Sequence, residues 1–62
     1  MREILHQYQN GNRMAKVFVT SNGFEVDLFD NTGLLETREL YSHSERYAED
    51  CAENYVLGVF SV

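Results

Sequence analysis

The residues that could do covalent or metal chemistry are few in this chain of 62 residues, and they lie far apart along it. The chain has a single cysteine, Cys51, and two histidines, His6 and His43. None of the three has a partner at the spacing of a zinc site or a catalytic triad. Cys51 falls in a helical stretch rich in alanine and tyrosine, where a thiol packs as a small hydrophobe. We therefore predict no catalytic residue and no metal site.

Asp27, Asp30 and Asn31 form a short oxygen-rich stretch, but they lack the D-x-[DN]-x-[DN]-G order of a calcium loop. The pair Asp30-Asn31 is instead typical of a turn. The chain has no glycine-rich phosphate loop and no G-x-S-x-G motif, and a domain this small offers little volume for a substrate pocket. We expect a protein that is not an enzyme and uses no cofactor.

An acidic stripe runs along the predicted C-terminal helix. Glu45, Glu49 and Glu53 recur every fourth residue, with Asp50 beside them. Like charges at this spacing cost an isolated helix about 0.2–0.5 kcal/mol per pair. The stripe could imitate a phosphate backbone and occupy a nucleic-acid-binding protein. The alternative is a solvated face whose early acids are favoured by the helix dipole.

Charge and size narrow the possible partners. Ten acidic against five basic residues give a formal charge of −5, which repels phosphate backbones and anionic lipid. The N-terminal residues lack an apolar signal region, no apolar run could span a bilayer, and a single cysteine is typical of a reducing compartment. We expect one cytoplasmic domain over residues 1–62. A homo-oligomer is the default, because so small a core needs further support.

Three turn signals divide the first two thirds of the chain: Asn10-Gly11, Asn22-Gly23 and Asn31-Thr32-Gly33. Asn-Gly is preferred in two-residue type I′ hairpin turns, and the third signal suits a turn of three or four residues. Met1–Gln9 is either an edge strand or an arm. The predicted strands are Glu3–Gln9, Arg13–Ser21, Phe24–Asp30 and Leu34–Tyr41.

The predicted turns set the register of the strands. Apolar residues then alternate with period 2, as a half-buried antiparallel sheet requires. The register of the last strand stays open, because Leu34 and Leu35 are adjacent. The expected neighbours are Val19 with Val26, Val17 with Leu28, Ile4 with Val17, and His6 with Ala15. The expected apolar face comprises Ile4, Ala15, Val17, Val19, Phe24, Val26 and Leu28.

The C-terminal segment changes to helical periodicity. Ser42 and Glu45 have the S-x-x-E form of a capping box, and Gly58 is expected to end the helix. Tyr47 and Tyr55 should lie at the margins with their hydroxyls in water. The fold class is therefore α+β, an antiparallel β-meander of three or four strands with one C-terminal α-helix packed on one face.

The second face of the sheet is the preferred interaction surface. It should carry Phe18, Phe29 and Lys16, together with Leu34 or Leu35. Two phenylalanines near a lysine resemble the stacking platform of RNA-binding sheets. Acidic residues predicted on the same face would repel a nucleic-acid strand, so we interpret the group as an apolar patch that a second subunit or a protein partner covers.

The segment HSERYAEDCAENYVLGVF, from His43 to Phe60, resembles the C-terminal part of short uncharacterised proteins encoded by tailed phages of marine cyanobacteria. Those proteins tend to end in an alanine- and acid-rich helix followed by N-x-x-x-G, here Asn54 and Gly58. The resemblance implies a small accessory protein made in the cytoplasm of an infected bacterium. At the level of fold, a three-stranded sheet followed by a helix also resembles the arm-type DNA-binding domains of phage integrases, whose basic sheet surface is missing here.

Three functions follow in order of preference. The first is a non-enzymatic protein–protein interaction module, a homo-oligomer acting through its free sheet face. The second is an acidic mimic or inhibitor that acts through the stripe on the helix. The third, direct nucleic-acid binding through Arg13, Lys16 and Arg38, is disfavoured by the net charge.

Overall fold

The computed structural model describes residues 1–62. Four antiparallel strands form one sheet in chain order, and one helix packs on one of its faces. The predicted α+β meander is confirmed, and its N-terminal segment is an edge strand. The elements are β1 (Glu3–Asn10), β2 (Arg13–Thr20), β3 (Gly23–Asp30), β4 (Gly33–Leu40) and α1 (Glu45–Val56).

Each connection between strands has two residues, and the turn chemistry differs from the prediction. Only glycines have positive φ, so neither Asn-Gly pair forms a type I′ turn, which needs positive φ at both central residues. The β2–β3 turn is Ser21-Asn22, and Gly23 begins β3. The Thr20 hydroxyl accepts from the backbone N–H of Asn22 and donates to the Gly23 carbonyl. Glycine is needed at position 23 because a Cβ there would lie 2.9 Å from the Cα of Tyr41.

The different turn changes the register between β2 and β3. The predicted pairing of Val19 with Val26 and of Val17 with Leu28 is wrong by two residues. Because the shift is even, the same side chains still point to the helix. The observed pairs are Val19 with Phe24, Val17 with Val26, and Ala15 with Leu28.

Strand β1 has an irregularity between Ile4 and His6. Ile4 lies opposite Phe18 and His6 lies opposite Val17, so the two side chains point to different faces. The prediction that Ile4 shares the helix-covered face is wrong, because one extra residue in a strand breaks its alternation. His6 does face the helix, as the predicted alternation required, but the predicted pairing with Ala15 is wrong, because His6 lies opposite Val17.

The core lies between the helix and the two central strands. Tyr55 is at its centre, and its hydroxyl donates to the backbone oxygen of Phe29 at 3.0 Å. The expectation that Tyr55 lies at the margin is wrong, because its hydroxyl finds a buried acceptor. Tyr47 is half exposed and stacks on His43. The core residues are Ala15, Val17, Val26, Leu28, Ala48, Ala52, Tyr55 and Val56.

The helix begins after Ser44, whose hydroxyl accepts from the backbone N–H of Tyr47 at 3.2 Å. The predicted capping box from Ser42 to Glu45 is therefore wrong. Glu45 is the first helical residue. Its negative charge is stabilised there by the positive end of the helix dipole, and its side chain does not form the second half of a capping box.

The helix ends at the predicted glycine. Gly58 has a φ of +84°, its N–H donates to the Tyr55 carbonyl, and the N–H of Val59 donates to the Asn54 carbonyl. These two bonds are those of a Schellman motif. Arg13, from β2, donates to the carbonyl of Tyr55 at 2.9 Å and so supplies the cation that the last turn of the helix lacks. No helix in the structure is long and apolar enough to cross a membrane.

Candidate functional site

The open face is the surface of the sheet turned away from the helix. Strand pairing places on it every second residue of each strand, with interruptions at the irregularities in β1 and between β3 and β4. Its residues are Ile4, Gln7, Gln9, Met14, Lys16, Phe18, Thr20, Glu25, Asp27, Phe29, Leu34, Thr37 and Glu39.

Two half-buried aromatic rings dominate the open face, and a cation lies over each. The guanidinium of Arg2 lies 3.8 Å from the centroid of Phe18. The ammonium of Lys16 lies 5.2 Å from the centroid of Phe29. Such contacts contribute about 0.5–1 kcal/mol at exposed sites. The cations leave part of each ring accessible to a partner.

Aliphatic side chains extend the apolar surface beside each ring. Ile4 lies opposite Phe18 and is 49% exposed. Leu34 lies opposite Phe29 and is 55% exposed. Leu35, which the sequence offered as the alternative to Leu34, is the extra residue of the β3–β4 irregularity and is also exposed. The open face therefore presents two apolar clusters, Ile4 with Phe18 and Phe29 with Leu34.

A hydrogen-bonded carboxylate lies between the two clusters. Asp27 is only 5% exposed and accepts from both terminal nitrogens of Arg2, at 2.7 and 3.2 Å. The hydroxyl of Thr37 donates to the same carboxylate at 2.7 Å. The hydrogen bond and the charge of Asp27, with a smaller contribution from Glu25, raise the pKa of Arg2. A buried carboxylate is tolerated because its oxygens are paired.

A second carboxylate is paired at the β4 side of the open face. Glu25 lies 2.9 Å from Nε of Arg2, and the hydroxyl of Tyr41 donates to both Glu25 and Glu39. The bond to Glu25 is the main cause that raises the pKa of Tyr41 to about 12. The acidic residues of this face are therefore largely paired within the chain.

The acidic residues of the helix are divided between its two sides. Glu45 and Glu49 turn towards β1, where Nε2 of His6 lies 2.9 Å and 3.4 Å from their carboxylates. Burial, together with the charges of Glu49, Glu53 and Asp50, raises the pKa of Tyr8, two residues further along β1. These partners are distant from His6 along the chain, Glu45 by 39 residues, so no local motif connects them. The signal in the sequence that could have found this cluster is the predicted strand register, which places His6 on the face that the helix covers.

A groove of about 260 Å³ lies on the other side of the helix, against β4. The thiol of Cys51 lies in its wall, half-buried rather than within the core. Burial raises the pKa of this thiol, and nearby Arg38 partly offsets the effect. A raised pKa keeps the sulfur in its less nucleophilic thiol form. The groove is lined by Arg38, Tyr47, Asp50, Cys51, Asn54 and Phe60.

The three basic residues considered for nucleic-acid binding do not form one surface. Arg13 donates to the carbonyl of Phe60 at 2.7 Å, beside the end of the helix. Arg38 pairs with Glu36 at 3.1 Å on the helix-covered side, whereas Lys16 lies on the open face. Each is held by contacts inside the chain.

Comparison of the chain with models of protein families, with curated proteins and with solved structures finds no match in any of the three.

Proposed function

We propose that this protein is a non-enzymatic interaction module whose open face binds a second copy of the same chain. The observation that carries the proposal is the pair of apolar clusters, Ile4 with Phe18 and Phe29 with Leu34, which are partly exposed on the face turned away from the helix. Arginine, methionine and aromatic residues are enriched in protein interfaces, and Arg2, Met14 and the two phenylalanines bring these types together.

The paired charges of the open face support burial against another surface. Arg2 and Thr37 satisfy Asp27, while Arg2 and Tyr41 satisfy Glu25. A partner that covers these carboxylates does not leave an unpaired charge, which is the costly outcome of burying one. Their geometry is also formed before binding, which lowers the ordering cost of association.

The size of the open face fits a two-fold dimer. Strands of eight residues are about 26 Å long, and four of them are about 19 Å wide. One copy thus offers roughly 500 Å², and two copies bury roughly 1,000 Å², the lower limit for a specific interface. A chain with only eight core residues also has more to gain from oligomerisation than a larger domain.

The resemblance of residues 43–60 to proteins of cyanobacterial phages supports a cellular role for this module. We propose on that basis a small accessory protein that acts in the cytoplasm of the bacterial host.

The acidic stripe has less support as a nucleic-acid mimic. His6 forms a hydrogen bond with Glu45 and lies within 3.4 Å of Glu49, so two of the four acids already have a partner inside the chain. Reversing Glu49 and Glu53 to lysine should therefore leave self-association unchanged, whereas mimicry requires those charges for capture of a basic partner.

The experiment compares Leu34→Asp with Val59→Asp by sedimentation. Leu34 is 55% exposed on the open face, and Val59 is 69% exposed after the helix, so both changes add one charge at an accessible apolar residue. We expect Leu34→Asp to give a folded single chain and Val59→Asp to associate like the parent. Phe18→Asp gives a second test at the other cluster. Equal association of all variants would contradict the proposal.

A further inference from the structure

The strongest unassigned cluster lies between β1 and the first two turns of the helix. Its members are His6, Glu45 and Glu49, and their ligand atoms all lie within 4.8 Å of one another. Nε2 of His6 is 2.9 Å from Oε2 of Glu45 and 3.4 Å from Oε2 of Glu49. The two glutamates lie one helical turn apart, so their side chains project side by side.

The distances in this cluster are those between donor atoms that share one metal ion. With metal–ligand bonds of about 2.1 Å, neighbouring donors are about 3.0 Å apart in octahedral and about 3.4 Å apart in tetrahedral geometry. The two distances from His6 already have these values. Rotation of the glutamate side chains is enough to bring the third pair of donors together.

We infer that His6, Glu45 and Glu49 form a binding site for a divalent transition-metal ion of the zinc class. One imidazole and two carboxylates suit Zn²⁺, whereas Ca²⁺ takes oxygen ligands alone and Mg²⁺ binds through few carboxylates and retained water. On binding, His6 takes the tautomer that carries its proton on Nδ1, so that Nε2 and the two carboxylates offer lone pairs to the metal. Water completes the coordination, because all three side chains are partly exposed.

The charge around the cluster also favours a cation. Glu53 follows Glu49 by one more turn, and the chain as a whole has a formal charge of −5. Without a cation, the glutamates repel each other at i, i+4 spacing.

A metal at this position connects two parts of the fold that are distant in sequence. His6 belongs to an edge strand and Glu45 to the helix, 39 residues later. Bound metal would hold β1 against the helix and stabilise the folded chain, because it binds only where the ligands are assembled. The site faces the helix side of the sheet, so it is independent of association through the open face.

The experiment titrates the full chain, freed of metal by a chelator, with Zn²⁺ while heat of binding and thermal unfolding are measured. We expect one ion per chain and a midpoint of unfolding higher by on the order of 10 °C at about one hundred times Kd. Mg²⁺ at the same concentration should give no such shift.

The variants locate the site. His6→Gln and Glu49→Gln should each weaken Zn²⁺ binding at least about tenfold, whereas His43→Gln and Glu53→Gln should bind like the parent. Unfolding without metal shows that each variant is folded, and two substitutions at the site guard against the failure of one. No stabilisation by Zn²⁺, one ion per two chains, or equal binding by His6→Gln and the parent would each overturn the inference.

Discussion

The guanidinium of Arg2 lies 3.8 Å from the ring centroid of Phe18 while its nitrogens pair with the carboxylate of Asp27. One side chain that precedes the first strand thus covers an aromatic ring and neutralises the most buried acid of the chain. Arg2 thus places its cation against the ring of Phe18 and pairs the negative charge at the centre of the open face. It is the residue on which the character of this face depends most.

Replacing Arg2 by alanine should lower the free energy of unfolding by about 1–2 kcal/mol. The substitution leaves Thr37 as the main hydrogen-bond donor to Asp27. The loss of stability stays modest because the Arg2 side chain is 38% exposed, so solvent screens the ion pair. Urea unfolding at fixed protein concentration measures it. Arg46→Ala, at an exposed helical arginine, is the matched control and should change the value by less than about 0.5 kcal/mol. Equal losses in the two variants would contradict this role.

Tyr41 should titrate two pH units above an ordinary tyrosine. Its hydrogen bond to Glu25 raises its pKa from 10.0 to about 12, because phenolate formation breaks that bond and places two negative charges side by side. The resulting stabilisation is fully present below pH 10 and is lost as the pH rises through about 12.

Ultraviolet difference titration of the parent against Tyr41→Phe isolates this group. Glu25→Gln, which keeps the shape but removes the charge, should return the Tyr41 transition towards pH 10. A parent transition already near that value would show that the bond is absent in solution.

Gly23→Ala should be the most damaging glycine substitution. A Cβ at this position would approach the backbone of Tyr41 to 2.9 Å, with a φ of +134°, so both sterics and backbone conformation oppose it. We expect a loss of at least about 2 kcal/mol. Gly11→Ala is the control, since its φ of +62° is strained but its Cβ meets open space, and it should cost about 1 kcal/mol. Chemical denaturation compares the two, and a smaller loss at Gly23 would be inconsistent with the close approach.

Cys51 should react slowly with thiol reagents. Burial raises its pKa, so less thiolate is present at a given pH and access is restricted as well. Alkylation at pH 8 should be several-fold slower in the folded chain than in urea, and it should accelerate as the pH rises. Equal rates in the two states would show that the thiol is more exposed than in the groove beside Arg38.

The sequence predicts the elements of this fold better than their contacts. Alternation and helical periodicity are local signals, so the strands, the helix and its terminating Gly58 are confirmed. The predicted register between β2 and β3 is wrong because Asn22-Gly23 is typical of a type I′ turn. In the structure, glycine is needed at position 23 because the backbone of Tyr41, a residue of a distant turn, approaches it closely. The dipeptide alone does not show which of these two reasons explains its glycine.

The surfaces depend even more on contacts across the chain. Phe18 and Phe29 could be assigned to one face from alternation alone. The contact of Arg2 with the Phe18 ring could not be predicted in this way. Arg2 precedes the first strand, and its position follows from its pairing with Asp27 on β3. His6 likewise meets Glu45 only through the packing of the edge strand against the helix.

The molar mass across a wide dilution series by sedimentation tests the central claim most directly. Self-association through the open face predicts twice the 7.2 kDa of one chain at high protein concentration, with a fall to the single-chain mass on dilution. Leu34→Asp should have the single-chain mass at every concentration. A mass of one chain at every concentration of the parent would contradict the account.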